Sequence, residues 1–233
     1  MNLEEAPDLN VDLTSPSLNL SADSNEVVTY RRDSRNYITQ LFGAQLPAVH
    51  TGFFNVSMSQ GMMINPHWHT NVNELVVVIT GEVMTSVFNP FTQKLMTYRL
   101  KPGQVSQLPK GWFHWIVSLT DHTFIMTIFD QPTPDIVYAS DFLRFTPKEI
   151  MNRAYCVNPE EYAKAVAPIT QSVILGPPVD CVNRELPSLS EPQPEFVPPV
   201  YPGLQMEQPL FQPQNPYGPG PAQPYRFDPN RFW

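Results

Sequence analysis

Two stretches of the sequence decide the fold: residues 61–81, GMMINPHWHTNVNELVVVITG, and residues 103–118, GQVSQLPKGWFHWIVS. In the first stretch, His67 and His69 are two residues apart, a spacing that places both imidazoles on one face of a strand. Glu74 follows a short polar loop and begins an apolar run with strand character. The first stretch therefore predicts a hairpin with three possible metal ligands near its turn.

The second stretch supplies a fourth ligand, His114. The turn-forming segment Pro109-Lys110-Gly111 precedes it and is expected to return the chain so that this imidazole points inward. The predicted metal site consists of His67, His69, Glu74 and His114. Three imidazoles and one carboxylate leave two positions open on an octahedral metal, which suits Mn(II) or Fe(II). Zn(II), which prefers four ligands, and Ni(II) rank lower, and Glu74 is also the predicted catalytic residue.

Short β-branched and aromatic runs surround these motifs at regular spacing and are separated by turn residues. The predicted strands are Val49–Ser57, Leu75–Thr80, Val83–Phe88, Leu95–Leu100, Phe113–Leu119 and Phe124–Phe129. Many short, evenly spaced strands are typical of a β-sandwich or barrel.

Two helix starts follow the strands. Thr146-Pro147-Lys148-Glu149 has the pattern of a capping box, and Asn158-Pro159-Glu160-Glu161 repeats it. The sequence therefore predicts a short helical segment between about residues 140 and 166.

The two motifs resemble those of the cupin family. Gly61-x5-His67-x-His69-x4-Glu74-x6-Gly81 matches the first cupin motif at every fixed position, and Gly103-x5-Pro109-x-Gly111-x2-His114 matches the second, with Ser118 replacing a closing Asn. The resemblance implies an all-β fold: a single cupin β-barrel of the jelly-roll type with short C-terminal helices and a Pro-rich irregular tail. The chain is most similar to germin-like proteins and oxalate decarboxylases, which implies Mn(II) ahead of Fe(II) and a homo-oligomer.

Two departures from oxalate decarboxylases bear on the reaction. Those enzymes carry an Arg three residues before the first ligand His, and this position is Ile64. They also carry a mobile Ser-Glu-Asn lid, for which residues 130–136 are a shorter, Pro-containing replacement. Asp135 is the only carboxylate there besides Asp130, and a position in a surface loop is expected for it. Genuine oxalate decarboxylase activity is therefore not expected.

Composition divides the chain into three parts. Residues 1–29 form an acidic arm, residues 30–168 the barrel, and residues 169–233 a tail rich in Pro, Gln and aromatic residues. The arm is predicted to be disordered or loosely docked, and the tail to be either disordered or laid on its own barrel or a partner. Cys156 and Cys181 are predicted to be free thiols, with a single bridge as the alternative.

The formal net charge of −8 and the lack of Lys/Arg clusters argue against nucleic-acid and membrane partners. No export signal or membrane-spanning run is evident, so a cytoplasmic protein is expected. The metal motif favours an oxidoreductase or lyase acting on a small carboxylate, diol or enol. The alternatives are a non-enzymatic metal-binding or structural module, and superoxide dismutation by manganese as in germin-like proteins.

Overall fold

The computed structural model describes residues 11–181, in which twelve strands form two antiparallel sheets. The strands are β1 (Val27–Arg31), β2 (Tyr37–Leu41), β3 (Phe53–Met58), β4 (Met63–His69), β5 (Glu74–Thr80), β6 (Val83–Asn89), β7 (Lys94–Leu100), β8 (Val105–Leu108), β9 (His114–Ser118), β10 (Thr123–Phe129), β11 (Ile136–Tyr138) and β12 (Leu175–Gly176). One sheet has the order β1-β2-β3-β10-β5-β8, and the other has β11-β4-β9-β6-β7 with β12 also paired to β4. This architecture confirms the all-β, jelly-roll prediction.

The core lies between the two sheets because side chains alternate along the strands. In β10 every second residue from Thr123 to Phe129 is buried, and Val56, Ile116 and Ile125 have no exposed surface. Burying such a side chain contributes roughly 1.5–3 kcal/mol relative to leaving it exposed. The same alternation buries Glu74 at the start of β5, among apolar neighbours.

Five of the six predicted strands are confirmed to within one residue at each end. The prediction that a strand begins at Val49 is wrong, because β3 starts only at Phe53 and His50 lies in an exposed bend. Gly52 explains the late start: its N–H donates to the carbonyl of Gln131, and a Cβ at this position would lie 2.6 Å from the carbonyl oxygen of Pro132. Gly52 therefore packs against the loop after β10, while its carbonyl accepts a hydrogen bond from the N–H of Phe129 at the end of β10.

Three helices, α1 (Ala139–Phe145), α2 (Lys148–Tyr155) and α3 (Pro159–Val166), confirm the predicted helical segment. Asn158 caps α3, since its side chain accepts hydrogen bonds from the N–H groups of Glu160 and Glu161. The capping box predicted at Thr146 is wrong. The Thr146 hydroxyl instead donates to the Phe142 carbonyl at the end of α1, so Pro147 occupies the N-cap position of α2 without a side-chain cap.

After α3 the chain returns to the barrel. Leu175 and Gly176 pair with Ile64 and Met63 of β4, and Leu175 is fully buried. Strand pairing thus extends beyond residue 168, where composition placed the end of the barrel. Residues 1–10 of the predicted arm, and the predicted tail from residue 182 onward, lie outside the described residues.

The predictions for the two cysteines and for membrane-spanning segments can be compared with residues 11–181. Cys156 and Cys181 are both free thiols, as expected. None of the three helices there is long and apolar enough to cross a membrane.

Candidate metal centre

A β-bulge brings the two motifs together. Strands β4 and β9 pair through Ile64 and Ile116, lose register at Asn65-Pro66, and resume with His67 directly opposite His114. Pro66 has no N–H to donate to the ladder, so an irregularity is required at this point. Because of the bulge, the carbonyl of Asn65 accepts a hydrogen bond from the His67 ring instead of a partner strand.

Backbone carbonyls fix the tautomers of all three imidazoles. Nδ1 of His67 is 2.7 Å from the Asn65 oxygen, Nδ1 of His114 is 2.7 Å from the Trp112 oxygen, and Nδ1 of His69 is 2.9 Å from the Asp135 oxygen. A carbonyl oxygen only accepts, so each Nδ1 carries a proton and each ring directs its Nε2 into the site. Metal-binding histidines are held in this way in other proteins.

The four free donor atoms converge. Glu74 Oε2 is 2.9 Å from His69 Nε2 and 3.1 Å from His114 Nε2, and the Nε2 atoms of His67 and His114 are 3.1 Å apart. Ligands at right angles around a metal with bonds of about 2.1 Å are separated by about 3.0 Å, whereas a tetrahedral site requires about 3.4 Å. His67 Nε2 is 4.0 Å from Glu74 Oε2, close to the span of two opposite ligands. The donor set therefore fits a six-coordinate cation with two open positions.

Burial and mutual contact set the charges of these groups. Burial, reinforced by the neighbouring His114, lowers the pKa of His67 to about 3. Burial alone would raise the pKa of Glu74, but hydrogen bonds from His114 and His69 outweigh it and hold the pKa well below its usual range. Burial opposes the charged form of His69, but the hydrogen bond and charge of Glu74 raise its pKa on balance. Without a metal, His69 and Glu74 thus each favour the charged form of the other.

Packing holds His69 in place. Its ring meets the Phe129 ring edge-on, with centroids 5.1 Å apart, and its backbone oxygen accepts a hydrogen bond from the N–H of Gly111. Gly111 has a φ of 80°, a conformation that glycine adopts readily, and this turn precedes His114 as predicted. The same hydrogen bond therefore joins the first motif to the second.

A cavity of about 40 Å³ adjoins the donor atoms, enough for one to three water molecules. Beside three of the four donor residues, its walls are formed by seven apolar and three hydroxyl-bearing side chains: Ile38, Phe54, Val56, Ile64, Phe129, Ile136, Ile174, Thr29, Thr127 and Tyr138. No Lys or Arg from residues 11–181 lines it. The open positions of a bound metal would thus face an uncharged, mostly apolar space.

The structure also locates Ile64 and Asp135, which lie at the two departures from the oxalate decarboxylase pattern. Ile64, at the position of the oxalate decarboxylase Arg, is buried and lines the cavity. The Asp135 side chain is exposed, as expected, and only its backbone oxygen reaches the site. This carbonyl contact has no sequence signal.

Sequence reasoning also missed Tyr138, which lies opposite His67 in the β11–β4 pair, with the two ring centroids 5.6 Å apart. Burial, and next the charge of Glu74, raises the pKa of its phenol, which is protonated at neutral pH. The alternation of Ile136 and Tyr138 was the available signal, but three residues are too few to establish a period of two.

Comparisons with known proteins agree with this geometry. The chain is 24% identical over 132 residues to the 12S seed storage protein CRA1 of Arabidopsis thaliana, covering 54% of this chain and 28% of that protein. It is 24% identical over 136 residues to Germin-like protein subfamily 1 member 1 of the same plant, covering 54% of this chain and 62% of that protein. The match thus spans less than two thirds of the length of either curated relative.

Among solved structures, the fold is similar to that of an oxalate oxidase, with a TM-score of 0.59, 17% identity, and coverage of 72% of this chain and 92% of that chain. A family model described as Cupin matches residues 19–163, which is more than half of the chain. The bulge that opposes His67 to His114, the two-sheet fold and this match lead to one conclusion: the chain belongs to the cupin family.

Proposed function

We propose that this cupin is a metal-dependent enzyme, with Mn(II) as the first and Fe(II) as the second candidate, acting as an oxidoreductase or lyase on a small oxygen-donor substrate. A carboxylate, diol or enol supplies such a donor. His67, His69, Glu74 and His114 would hold the ion. It would supply Lewis acidity or one-electron chemistry at two open positions.

One observation carries this proposal: three Nε2 atoms and a carboxylate oxygen converge inside the protein. Since each Nδ1 proton is committed to a carbonyl, the Nε2 atoms of His67 and His114 face each other at 3.1 Å, with the Glu74 carboxylate oxygen beside them. Buried nitrogen and oxygen lone pairs that converge in this way are costly without a cation or proton to share. A divalent cation removes this cost for all four residues at once.

The chain's own residues define the chemistry that is accessible. Among residues 11–181, Glu74 is the only carboxylate lining the cavity, so it is both a proposed ligand and the candidate acid–base group beside the open positions. The apolar walls exclude bulk water from the reacting atoms. Ile64 offers no positive charge to a second carboxylate, and the Asp135 carboxylate faces solvent, so oxalate decarboxylation is not supported.

The size of the cavity favours superoxide dismutation as a second candidate. About 40 Å³ accommodates a diatomic anion but not a body of several carbon atoms unless the walls move. Inhibition of a superoxide-dependent dye reduction by the manganese-loaded protein, and its loss in Glu74→Gln, tests this activity.

Elemental analysis of the purified protein, followed by an oxygen-consumption screen of small carboxylates, diols and enols, tests the main proposal. We expect about one Mn or Fe per chain, lost in His114→Ala and kept in His122→Ala, which replaces an exposed turn residue. A wild-type protein without stoichiometric metal, or a His114→Ala variant with full metal content, contradicts the proposal. Full metal content without turnover of any substrate supports the non-enzymatic module instead.

We also propose that the chain forms a homo-oligomer. Helices α1 and α2 have no buried residue, and large apolar side chains project from them into solvent: Phe142, Phe145, Ile150 and Tyr155. A second copy that covers this face would remove the exposed apolar surface. Light scattering after gel filtration should show a dimer or larger species that Phe145→Glu dissociates. The two free thiols are consistent with a cytoplasmic location, which fractionation of source cells tests.

A further inference from the structure

Tyr138 is the polar side chain whose role the metal ligands leave unexplained. It ends strand β11, faces His67 across the β11–β4 pair, and lines the cavity together with His67, His69 and Glu74. Among residues 11–181 its hydroxyl has no hydrogen-bond partner, and it keeps some exposed surface. A hydroxyl in a mostly apolar space is stabilised by an acceptor, so its position indicates a ligand that brings one.

Two other hydroxyl groups line the cavity, those of Thr29 and Thr127. Thr29 donates its hydroxyl proton to the side-chain oxygen of Gln40 at 2.7 Å. Thr127 lies in the middle of β10, on the wall formed by Phe129 and its neighbours. Tyr138 therefore supplies the donor on the side of the cavity where His67 lies.

Charge balance restricts the ligand that this donor meets. A divalent ion together with the Glu74 carboxylate carries one net positive charge, since neutral histidines add none. The cavity has no Lys or Arg among the described residues to balance more than one negative charge. A singly charged anion makes the site neutral, whereas a dianion leaves an uncompensated charge in an apolar space, which is costly.

Resting on the proposed metal-binding function, we propose that Tyr138 donates its hydroxyl hydrogen bond to the metal-bound oxygen of a small, singly charged anion. The cavity of about 40 Å³ suits an anion of a few non-hydrogen atoms, the size of formate or superoxide. Tyr138 and the uncharged walls thus select for a small monoanion and against a dicarboxylate such as oxalate.

Formate binding to the manganese-loaded protein tests this proposal without an activity assay. The probe is the change in the Mn(II) electron paramagnetic resonance spectrum as formate is added to wild type, Tyr138→Phe, Tyr37→Phe and Thr127→Val. Tyr138→Phe removes only the hydroxyl, and Tyr37→Phe makes the same change on β2, outside the cavity. Thr127→Val removes the Thr127 hydroxyl of the cavity wall with little change in side-chain volume.

We expect Tyr138→Phe to weaken formate binding about 10- to 100-fold, the effect of one hydrogen bond to a charged group, while its metal content stays at the wild-type value. Tyr37→Phe should bind formate like wild type. Unchanged formate affinity in Tyr138→Phe, or a comparable loss in Thr127→Val, overturns the assignment of the donor. Loss of metal from Tyr138→Phe, or a phenolate charge-transfer band in the Fe(III) form, also overturns it, because Tyr138 is then a ligand.

The selectivity is tested on wild-type protein alone, which keeps the proposal falsifiable if the Tyr138 variant misfolds. Formate should perturb the bound Mn(II) at lower concentration than oxalate does, with metal content checked after each titration. Tighter binding of oxalate overturns the monoanion assignment. A wild-type protein that binds no Mn or Fe defeats the proposed function itself. A metal-loaded protein with Tyr138-independent formate binding defeats only this inference.

Discussion

The Nε2 atoms of His67 and His114 lie 3.1 Å apart on directly opposed residues of β4 and β9. In each ring the Nδ1 proton goes to the carbonyl oxygen two residues earlier in the chain, Asn65 for His67 and Trp112 for His114. The fold therefore holds these two nitrogen atoms at a distance that suits two ligands of one cation. This relationship leads to predictions about metal, pH and packing.

Metal binding should stabilise the fold. A ligand at 100 times its Kd adds about 2.7 kcal/mol to the free energy of unfolding, equivalent to roughly 5–10 °C in Tm for a domain of this size. We therefore expect excess Mn(II) to raise the Tm of chelator-treated protein by this amount, measured by scanning calorimetry. His114→Ala should lose the Mn(II)-dependent rise, and His50→Ala, which replaces an exposed bend residue, should keep it. Equal rises in both variants contradict the prediction.

The stability of the metal-free protein should peak near the ordinary His pKa of about 6.5. The raised pKa of His69 adds stability that is fully present below that value and is lost as pH rises through the higher folded pKa. The pKa of His67, lowered to about 3, acts oppositely: as pH falls from about 6.5 toward 3, the unfolded chain takes up a proton that the buried ring does not. The lowered pKa of Glu74 reinforces the loss at acidic pH.

Mn(II) affinity should show a different profile, rising with pH through the raised pKa of His69 because the ion displaces that proton. Urea unfolding of the metal-free protein and Mn(II) titrations at the same series of pH values check both trends. His69→Gln removes the alkaline decline of metal-free stability, and His122→Gln leaves it in place. An affinity for Mn(II) that is constant across this range contradicts the displacement of a proton.

Phe129 should couple the stability of the core to the position of His69. Its ring is fully buried and meets the rings of His69, Phe54 and Phe42 edge-on, with centroids 5.1, 5.5 and 6.4 Å away. Phe129→Ala should cost about 3–5 kcal/mol of unfolding free energy, because the large cavity that it leaves cannot collapse between two sheets. Chemical denaturation of the metal-free protein measures this cost.

Phe91→Ala is the control for this prediction, since Phe91 is 72% exposed and should change stability by less than about 0.5 kcal/mol. Phe129→Leu, which restores most of the volume, should recover most of the lost stability. Mn(II) affinity should fall in Phe129→Ala and recover in Phe129→Leu. Metal affinity that is unaffected in both variants indicates that backbone contacts alone hold His69.

The sequence predicts the strands and the four converging residues because local rules govern them. The spacing of His67 and His69 fixes their common face, and the turn at Gly111 returns His114 to the barrel. Asn158 was predicted correctly because its cap uses neighbouring N–H groups, whereas the Thr146 hydroxyl has an alternative acceptor in the preceding helix. When a capping pattern lies between two adjacent helices, the sequence does not show to which helix the hydroxyl will hydrogen-bond.

Contacts between residues far apart in the chain escaped the sequence analysis. The Asp135 carbonyl that orients His69 carries no side-chain signal, and Ile174 reaches the cavity only because β12 pairs with β4. The role of Tyr138 depends on the register of a three-residue strand. Composition reveals none of these contacts, since each depends on how two remote segments pack.

The close approach of Gly176 to Asn65 should make β12 sensitive to a single methyl group. A Cβ at Gly176 would lie 2.3 Å from Oδ1 of Asn65, whose Nδ2 donates to the Val173 carbonyl and whose backbone N–H donates to the Ile174 carbonyl. The Asn65 side chain cannot turn away without losing its bond to Val173. Gly176→Ala should therefore destabilise the protein by about 1–3 kcal/mol, the usual cost of overpacking.

A double-mutant cycle tests whether this clash is the cause. Asn65→Ala alone should cost about 0.5–1.5 kcal/mol for its lost hydrogen bond, and Asn65→Ala with Gly176→Ala should cost less than the sum of the single changes, because the added methyl group then has room. Gly103→Ala is a poor control because of its φ of 83°. Ala167→Gly is the better control. It changes a single methyl group at the end of α3, so its cost should simply add to that of Asn65→Ala. Strict additivity of Asn65→Ala and Gly176→Ala shows that β12 is held by other contacts, and that Ile174 keeps its place in the cavity wall without the Asn65 side chain.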